Sequence, residues 1–439
     1  MPGLKPPHCR VLHHVTKTAF RTFTFSMLLV AAPVCVRCQT LPPWLNDDLK
    51  QLTPSLVSAY KQIHQHPELG KAEVQTASLV RDALRRIGFS DFVMEPKLPT
   101  AVIAVLDSGR AGATIVLRAE LDARPGRESV DVEYKSADPE KMHSCGHDAH
   151  TAILMATAEI LFKHRKELRG KYVFLFQPAE ETPGGADDIV NDHILEKLGA
   201  DMVFAQHVAP GLAVGTMQVS PGPIMASSTY FTVRVQGNGS HAATPESGSD
   251  VVRLAAEMVS AFSNFPARHF SVLNEPVVVS VTHFEAGDSK ALNKIPNEAT
   301  FEGTIRTFAA MDSPQGKAIL QKLDEFLSKT AAVNGASATV TYRAGSPVAI
   351  NDLSLFKRLA PILAGTWDGK LETEGERSMY SEDFAYYSRN LPCLYFGLGV
   401  SDGKRGMHDV HTDEFDISLQ ALPVGTRFLL TLALVSQGS

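Results

Sequence analysis

The chemistry-bearing part of this chain is Met142-His143-Ser144-Cys145-Gly146-His147-Asp148-Ala149-His150, followed by Phe176-Gln177-Pro178-Ala179-Glu180-Glu181. The first stretch crowds a thiol and three imidazoles together. The second sets two adjacent carboxylates just after an apolar run. Soft sulfur with imidazole and carboxylate is a ligand set for a zinc-like transition metal, not for calcium or magnesium. Neighbouring glutamates let one hold metal while the other moves protons. Together these residues point to metal-dependent hydrolysis.

Each candidate has a plainer reading. Cys145-Gly146-His147 alone could be a buried structural cysteine beside a surface histidine. Its place after a short polar loop and before an apolar helix instead sets it at the carboxyl edge of an α/β sheet, where sites form. Asp148 and His150 are candidates for orienting ligands, and Asp148 reads equally well as a helix N-cap. Adjacent glutamates usually mark a solvated loop. Here Gln177-Pro178-Ala179 before and Pro183-Gly184-Gly185 after shape the turn around Glu180-Glu181. His207 follows a strand expected at 202–206 and, as a lone histidine, reads as a satisfied core or edge residue. Spacing does not choose between His408 and His411. His241, in Gly237-Asn238-Gly239-Ser240-His241, reads as a hairpin that carries a histidine. Ser381-Glu382-Asp383-Phe384 reads as a helix start with acids in its first turn. Neither a phosphate loop ending in Lys-Ser or Lys-Thr nor a Gly-x-Ser-x-Gly elbow occurs, so nucleotide and serine-nucleophile chemistry lose support.

These residues need elements to position them. Leu52, Leu56, Tyr60 and Ile63 recur at helical spacing and stop near His66-Pro67. Leu79, Ala83, Leu84 and Ile87 form a second stripe ending at Gly88. Residues 102–106, 114–117, 172–176 and 202–205 are short apolar runs of the kind found in strands covered on both faces, and 151–162 is a long apolar helix. This alternation is α/β. After Pro221-Gly222-Pro223 the pattern changes. Phe231, Val233 and Val235 alternate with Thr232, Arg234 and Gln236, which marks a half-exposed antiparallel strand. Helices on Val252-Ala255-Ala256-Val259 and Ile319-Leu323-Phe326-Leu327, with strands at 277–281, 301–306 and 338–342, describe a small α+β insertion with two helices on one face of its sheet. The expected division is a leader at 1–38, a catalytic domain at 45–224 and 341–439, and the inserted domain at 225–340.

The 439 residues are 44% hydrophobic and 21% charged, which suits a globular chain of two domains. A net charge of −6 gives no electrostatic footprint for nucleic acid. Beyond the leader, no run reaches the roughly 18 apolar residues of a membrane span. The leader has Arg10, Lys17 and Arg21, no acid before Asp47, and an apolar stretch over 23–36 that ends near Cys38. It reads as a secretory signal for a secreted or periplasmic protein, with mitochondrial or cytoplasmic placement as the alternatives. Of the five cysteines, Cys9, Cys35 and Cys38 fall in this segment. Cys145 and Cys393 remain, and a bridge between them would remove the proposed thiolate ligand.

From His64-Gln65-His66-Pro67-Glu68-Leu69 to His411, the chain resembles the metallopeptidase-like amidohydrolases that include hippurate hydrolases, bacterial N-acyl-amino-acid amidohydrolases and plant auxin-conjugate hydrolases. The likeness rests on the two motifs above together with Gly222-Pro223-Ile224-Met225-Ala226, Gly303-Thr304-Ile305-Arg306-Thr307-Phe308 and Ser381-Glu382-Asp383-Phe384. It implies a zinc-peptidase-like catalytic domain, a mixed sheet flanked by helices, with a satellite domain that commonly forms homodimers. It also implies two divalent ions (zinc, manganese, cobalt or nickel) on Cys145, His147, Glu181, His207 and His411, with Glu180 as general base. Asp122 and Asp148 would orient ligands. His241 matches a histidine that stabilises the oxyanion, in some relatives from the partner subunit, and Asn293 and Arg306 could receive a substrate carboxylate.

Where such proteins read Arg-Ala-Asp-Met-Asp-Ala-Leu-Pro, this chain has Arg118-Ala119-Glu120-Leu121-Asp122-Ala123-Arg124-Pro125, and Thr244-Pro245-Glu246 stands where Met-Pro-His is frequent. The implied reaction is hydrolysis of N-acyl or aryl-acyl amino acids to a carboxylic acid and a free amino acid. The rival readings are a dipeptidase or carboxypeptidase on the same site, or a non-catalytic metal- or peptide-binding protein.

Overall fold

A computed structural model describes residues 41–437. The leader, with Cys9, Cys35 and Cys38, lies outside the described residues. Helix α1 (Trp44–Gln65) buries Leu45, Leu49, Leu56, Tyr60 and Ile63. Helix α2 (Val74–Ile87) stops at Gly88, whose φ of 117° is open to glycine at little cost. Then come strands β1 (Phe92–Val93), β2 (Val102–Asp107) and β3 (Thr114–Glu120), helix α3 (His147–Lys163), and strands β4 (Lys171–Gln177), β5 (Met202–Ala213) and β6 (Thr216–Gln218).

A second group of elements follows: β7 (Ser227–Gln236), α4 (Val251–Asn264), β8 (Val277–Ala286), β9 (Glu298–Thr307), α5 (Pro314–Val333) and β10 (Ser337–Ala344). The chain then returns through α6 (Leu353–Thr366), β11 (Lys370–Glu372), β12 (Cys393–Ser401) and α7 (Ala421–Ser436). Among the described residues no helix is long and apolar enough to cross a membrane.

The large sheet has eight strands in the order β1-β2-β4-β3-β5-β12-β6-β11. Its centre, β4-β3-β5-β12, is parallel, and antiparallel pairs on either side make the sheet mixed. The apolar runs are continuous because both faces are covered. In β4, Tyr172, Phe174 and Phe176 enter the core under α1, α3 and α7, while Val173 and Leu175 enter a second core on the other face. Helix α3 is buried almost all round, packed against α1, α2 and α7 as well as the sheet.

The smaller sheet, β8-β9-β7-β10, is antiparallel throughout. Phe231, Val233 and Val235 of β7 pack with Leu254, Met258 and Phe262 of α4 and with Leu323 and Leu327 of α5. Tyr230 points to the opposite, open face.

Several boundaries differ from the sequence reading, and two bear on the donor residues. Helix α3 starts at His147, four residues earlier than its apolar run, because Gly146 adopts φ +79° and turns the chain directly into the helix. Strand β5 continues to Ala213 through its pairing with β12, so His207 sits inside a strand and not at its end. Phe174, with no exposed surface, supplies a stability test. Phe174→Ala should destabilise by about 3–5 kcal/mol, and Val278→Ala on the exposed edge strand by no more than about 0.5 kcal/mol, read as thermal unfolding midpoints.

Candidate metal centre

The carboxyl ends of the four central parallel strands deliver the site. Strand β4 runs into Glu180-Glu181, β3 into Asp122, and β12 into the loop that carries His411, while His207 rises from β5. Cys145 and His147 straddle the start of α3. A side chain at Gly146 would stand 2.6 Å from Val208 Cγ2, so only glycine lets the cysteine turn lie this close to β5. Two ligand-bearing turns use left-handed backbone at non-glycine residues, Ala179 (φ 59°) and His411 (φ 66°), the kind of local strain that collects at functional sites.

Cys145 Sγ lies 3.4 Å from His207 Nε2 and 3.3 Å from His411 Nε2. Glu181 Oε1 is 3.1 Å from His411 Nε2, and His147 Nε2 is 3.9 Å from Glu180 Oε2. Three interlocking groups, Cys145/His147/His207, Cys145/Glu181/His411 and His147/Glu180/Glu181, each bring one donor atom per residue within 4.8 Å of the others. All five residues expected as ligands therefore meet, although Cys145 and His411 stand 266 residues apart.

The donor atoms suit a divalent cation. His147 Nδ1 lies 2.8 Å from the Asp122 carbonyl oxygen, and His207 Nδ1 lies 2.8 Å from that of Val208. In both rings this leaves Nε2 to the cluster. His147 Nε2 is buried with no hydrogen-bond partner. Such an orphaned polar atom is costly unless something binds it. Burial lowers the His207 imidazole to about 4, which keeps it neutral and ligand-ready. Burial pushes the Cys145 thiol up, against the pull of His147; a bound cation would reverse that balance. Both Cys145 and Cys393 are free thiols, so the bridge between them does not form.

The adjacent glutamates are driven apart. Burial, then the Glu382, Asp383 and Glu181 carboxylates, raise Glu180 well above the usual carboxylate range. Burial also acts to raise Glu181, but His411, His147 and Arg124 outweigh it and hold Glu181 at about 2. One carboxyl is set to carry a proton while its neighbour stays an anion, and such divergence separates acid–base groups from ligands.

Asp122 orients both motifs: its carbonyl meets His147, and its Oδ2 accepts from the Glu181 amide at 2.9 Å. Asp148 does not act this way. It lies one residue into α3 and so faces away from His147, bonding His64 Nδ1 at 2.6 Å, while the N-cap position belongs to Gly146. His150 bonds Glu120 Oε2 at 2.7 Å.

A cavity of about 700 Å³ opens above the cluster, and Arg124, Tyr230, Arg306 and Tyr380 share its wall. Arg306 bonds Ser381. His241 and Asn293 are exposed and lie outside this lining, with His241 on a short strand paired to Lys294. His408 is exposed and outside it as well.

Sequence reasoning missed the layer behind the cluster. Arg118 is fully buried and pairs with Glu120, with Glu382 at 2.8 Å and with Asp383 at 2.7 Å. Glu382 does begin a short helical turn, as expected, but both acids face inward. An arginine two residues before an acid at the end of an apolar strand was the available signal. Arg124 pairs with Glu181, so the departure at this position reaches a candidate donor.

Comparison with known proteins agrees with this geometry. The profile of Peptidase family M20/M25/M40 matches residues 116–435. The chain belongs to that family. It is 35% identical over 393 residues to IAA-amino acid hydrolase ILR1-like 4 of Arabidopsis thaliana, covering 86% of each chain. It is 32% identical over 380 residues to an N-acetylcysteine deacetylase of Bacillus subtilis, covering 87% of this chain and 96% of that one. A solved Bacillus subtilis structure described as a dinuclear metal binding peptidase from the M20 family superposes with a TM-score of 0.76 at 30% identity, over 89% of this chain and 99% of the other. This M20 chain is thus an enzyme, a hydrolase of amide bonds with a divalent-metal centre.

Two outcomes follow for the M20 scaffold. Arg118→Met strands three buried carboxylates and should lower stability by about 3–5 kcal/mol, read from thermal midpoints. Burial alone would lower His64, yet Asp148 and Glu128 raise it to about 9. The stability this contributes is fully present below about pH 6.5, the ordinary histidine value, and is lost as pH rises through about 9. The metal-free thermal midpoint should therefore fall across that window, and His64→Gln should flatten the fall.

Proposed function

We propose that this chain hydrolyses the amide bond of N-acyl or aryl-acyl amino acids, releasing a carboxylic acid and a free amino acid. The observation that carries the reading is Glu180: a buried carboxyl, driven up in pKa, set beside a converged thiol–imidazole–carboxylate cluster at the floor of a cavity. A protein that only bound metal or peptide would not need it. The acyl-amino-acid substrates named for the plant and Bacillus relatives support the substrate class.

Cys145, His147, Glu181, His207 and His411 would hold two divalent ions, and the mixed sulfur, nitrogen and oxygen donors suit zinc, manganese, cobalt or nickel. When bound, the ions supply Lewis acidity, polarising the amide carbonyl and making water a stronger acid. Beside their positive charge Glu180 would be drawn back to the carboxylate that a base must be; it then takes the proton of the attacking water as the C–O bond forms and gives it to the amine nitrogen as the C–N bond breaks. Arg306, on the cavity wall, receives the substrate carboxylate.

The small sheet serves as a satellite domain at 225–340 through which two copies pair. The exposure of His241 and Asn293 outside their own cavity supports this, since both then reach the partner's site, His241 to hold the oxyanion.

A panel of N-acyl amino acids and free dipeptides on metal-loaded protein tests the reading. N-acyl substrates should be turned over and dipeptides should not. Glu180→Gln should keep its metal content while kcat falls by about 10²–10⁴-fold; a variant that stayed active would remove Glu180 from the reaction.

A further inference from the structure

The segment His64–Glu73 carries a distinctive motif, and the reaction uses none of it directly. Glu73 stands at the N-terminus of α2 but its side chain does not cap that helix. Glu68 does so instead, accepting from the Gln75 amide at 3.0 Å and the Thr76 amide at 2.8 Å. Glu73 is thereby free to reach across to the catalytic turn.

Its carboxylate has no exposed surface. Oε1 accepts from the Ala179 amide at 2.8 Å and the Lys71 amide at 2.9 Å, and Oε2 accepts from Thr100 Oγ1 at 2.9 Å. Ala179 immediately precedes Glu180 and is the residue held at φ 59°; Lys71, at φ 68°, is left-handed too. The left-handed region is unfavourable for any residue with a Cβ and persists only where the surroundings enforce it. A buried carboxylate accepting an amide is one of the stronger devices for doing so.

The strap lies directly on the turn. A side chain at Gly70 would stand 2.3 Å from Thr182 Oγ1 and 3.2 Å from Ala179 Cα. The strap also binds the Asp122 turn, where the Ala123 amide donates to the Glu68 carbonyl at 2.7 Å. It therefore ties together the two turns that orient Glu180, Glu181 and His147.

We infer that Glu73 is a positioning residue for the reaction: by accepting the Ala179 amide it locks that residue left-handed and so aims Glu180 and Glu181. This rests on the reading of Glu180 as base. If the acceptor is lost, the buried amide is unpaired and Ala179 relaxes to negative φ, which rotates the peptide that leads into both glutamates.

The test compares Glu73→Leu, Glu73→Gln and the double variant Glu73→Leu/Ala179→Gly, all on the full chain. Glutamine still offers one oxygen to both amides and its NH₂ to Thr100, so it should keep kcat within about threefold of the parent. Leucine offers nothing, and kcat should fall about tenfold or more with KM changing less, because Arg306, on the part of the wall that receives the substrate carboxylate, is untouched. Adding Ala179→Gly removes the left-handed penalty and should recover about threefold of that loss without raising the thermal midpoint. Competition titration of the metal-free protein with zinc and a chelator should show about threefold weaker binding in Glu73→Leu, because Glu181 moves with the turn.

Equal losses in the leucine and glutamine variants, an unchanged kcat in Glu73→Leu, or no recovery in the double variant would each overturn the assignment. If Glu73→Leu does not fold, Glu73→Asp, whose oxygen sits one methylene short of the amides, is read the same way. A parent that hydrolyses no N-acyl amino acid would defeat the proposed function instead. The zinc titration then decides the role of Glu73 alone, with unchanged affinity counting against it.

Discussion

A guanidinium with no contact to solvent underlies the whole site. Arg118 sits in the central strand β3 with Glu120 beside it and Glu382 and Asp383 brought from the far end of the chain. A cluster of carboxylates around Glu180 and Glu181 would repel itself in a low-dielectric interior. The guanidinium pairs with three of those carboxylates, yet burial still drives Asp383 up alongside Glu180. Since Arg118 Nε also donates to the Gln177 side-chain oxygen, the register between β3 and β4 is coupled to the electrostatics of the site.

That coupling explains why the fold commits so much buried surface to so few catalytic atoms. Strands β4, β3, β5 and β12 are parallel, so their carboxyl ends share one edge, and every donor in the cluster comes from that edge or from the α3 start that packs against it. Of the four non-glycine residues with positive φ among the described residues, three serve this edge: Ala179 before the glutamates, His411 at the last donor, and Lys71 in the His64–Glu73 strap that braces the first of these. Rigid strands set the positions to within a turn, and the strained turns set the final aim.

Much of this was readable beforehand because it depends on local patterns. Continuous apolar runs announced strands covered on both faces, and alternation over Phe231–Gln236 announced a one-sided sheet. Other features resisted for physical reasons. Asp148 neighbours a donor in sequence, but the 100° step of a helix turns it to His64. His207 looked like a strand end because the apolar run stopped, whereas backbone pairing with β12 carried the strand on. Glu382 and Asp383 read only as acids in a helix's first turn, since a buried acid is betrayed by its partner, and Arg118 lies far away in the sequence.

The amino-acid sequence by itself determined the kinds of donor atom, their order, and the helices and strands that bear them, because side-chain chemistry and hydrophobic periodicity are properties of residues and their near neighbours. Only the tertiary structure decided how the donors meet: that Cys145 lies against both His207 and His411, that Glu180 and Glu181 part in protonation, and that His241 stands away from its own cavity. Those outcomes depend on burial, strand register and charges brought together across hundreds of residues, and separation along a chain carries no measure of distance in space.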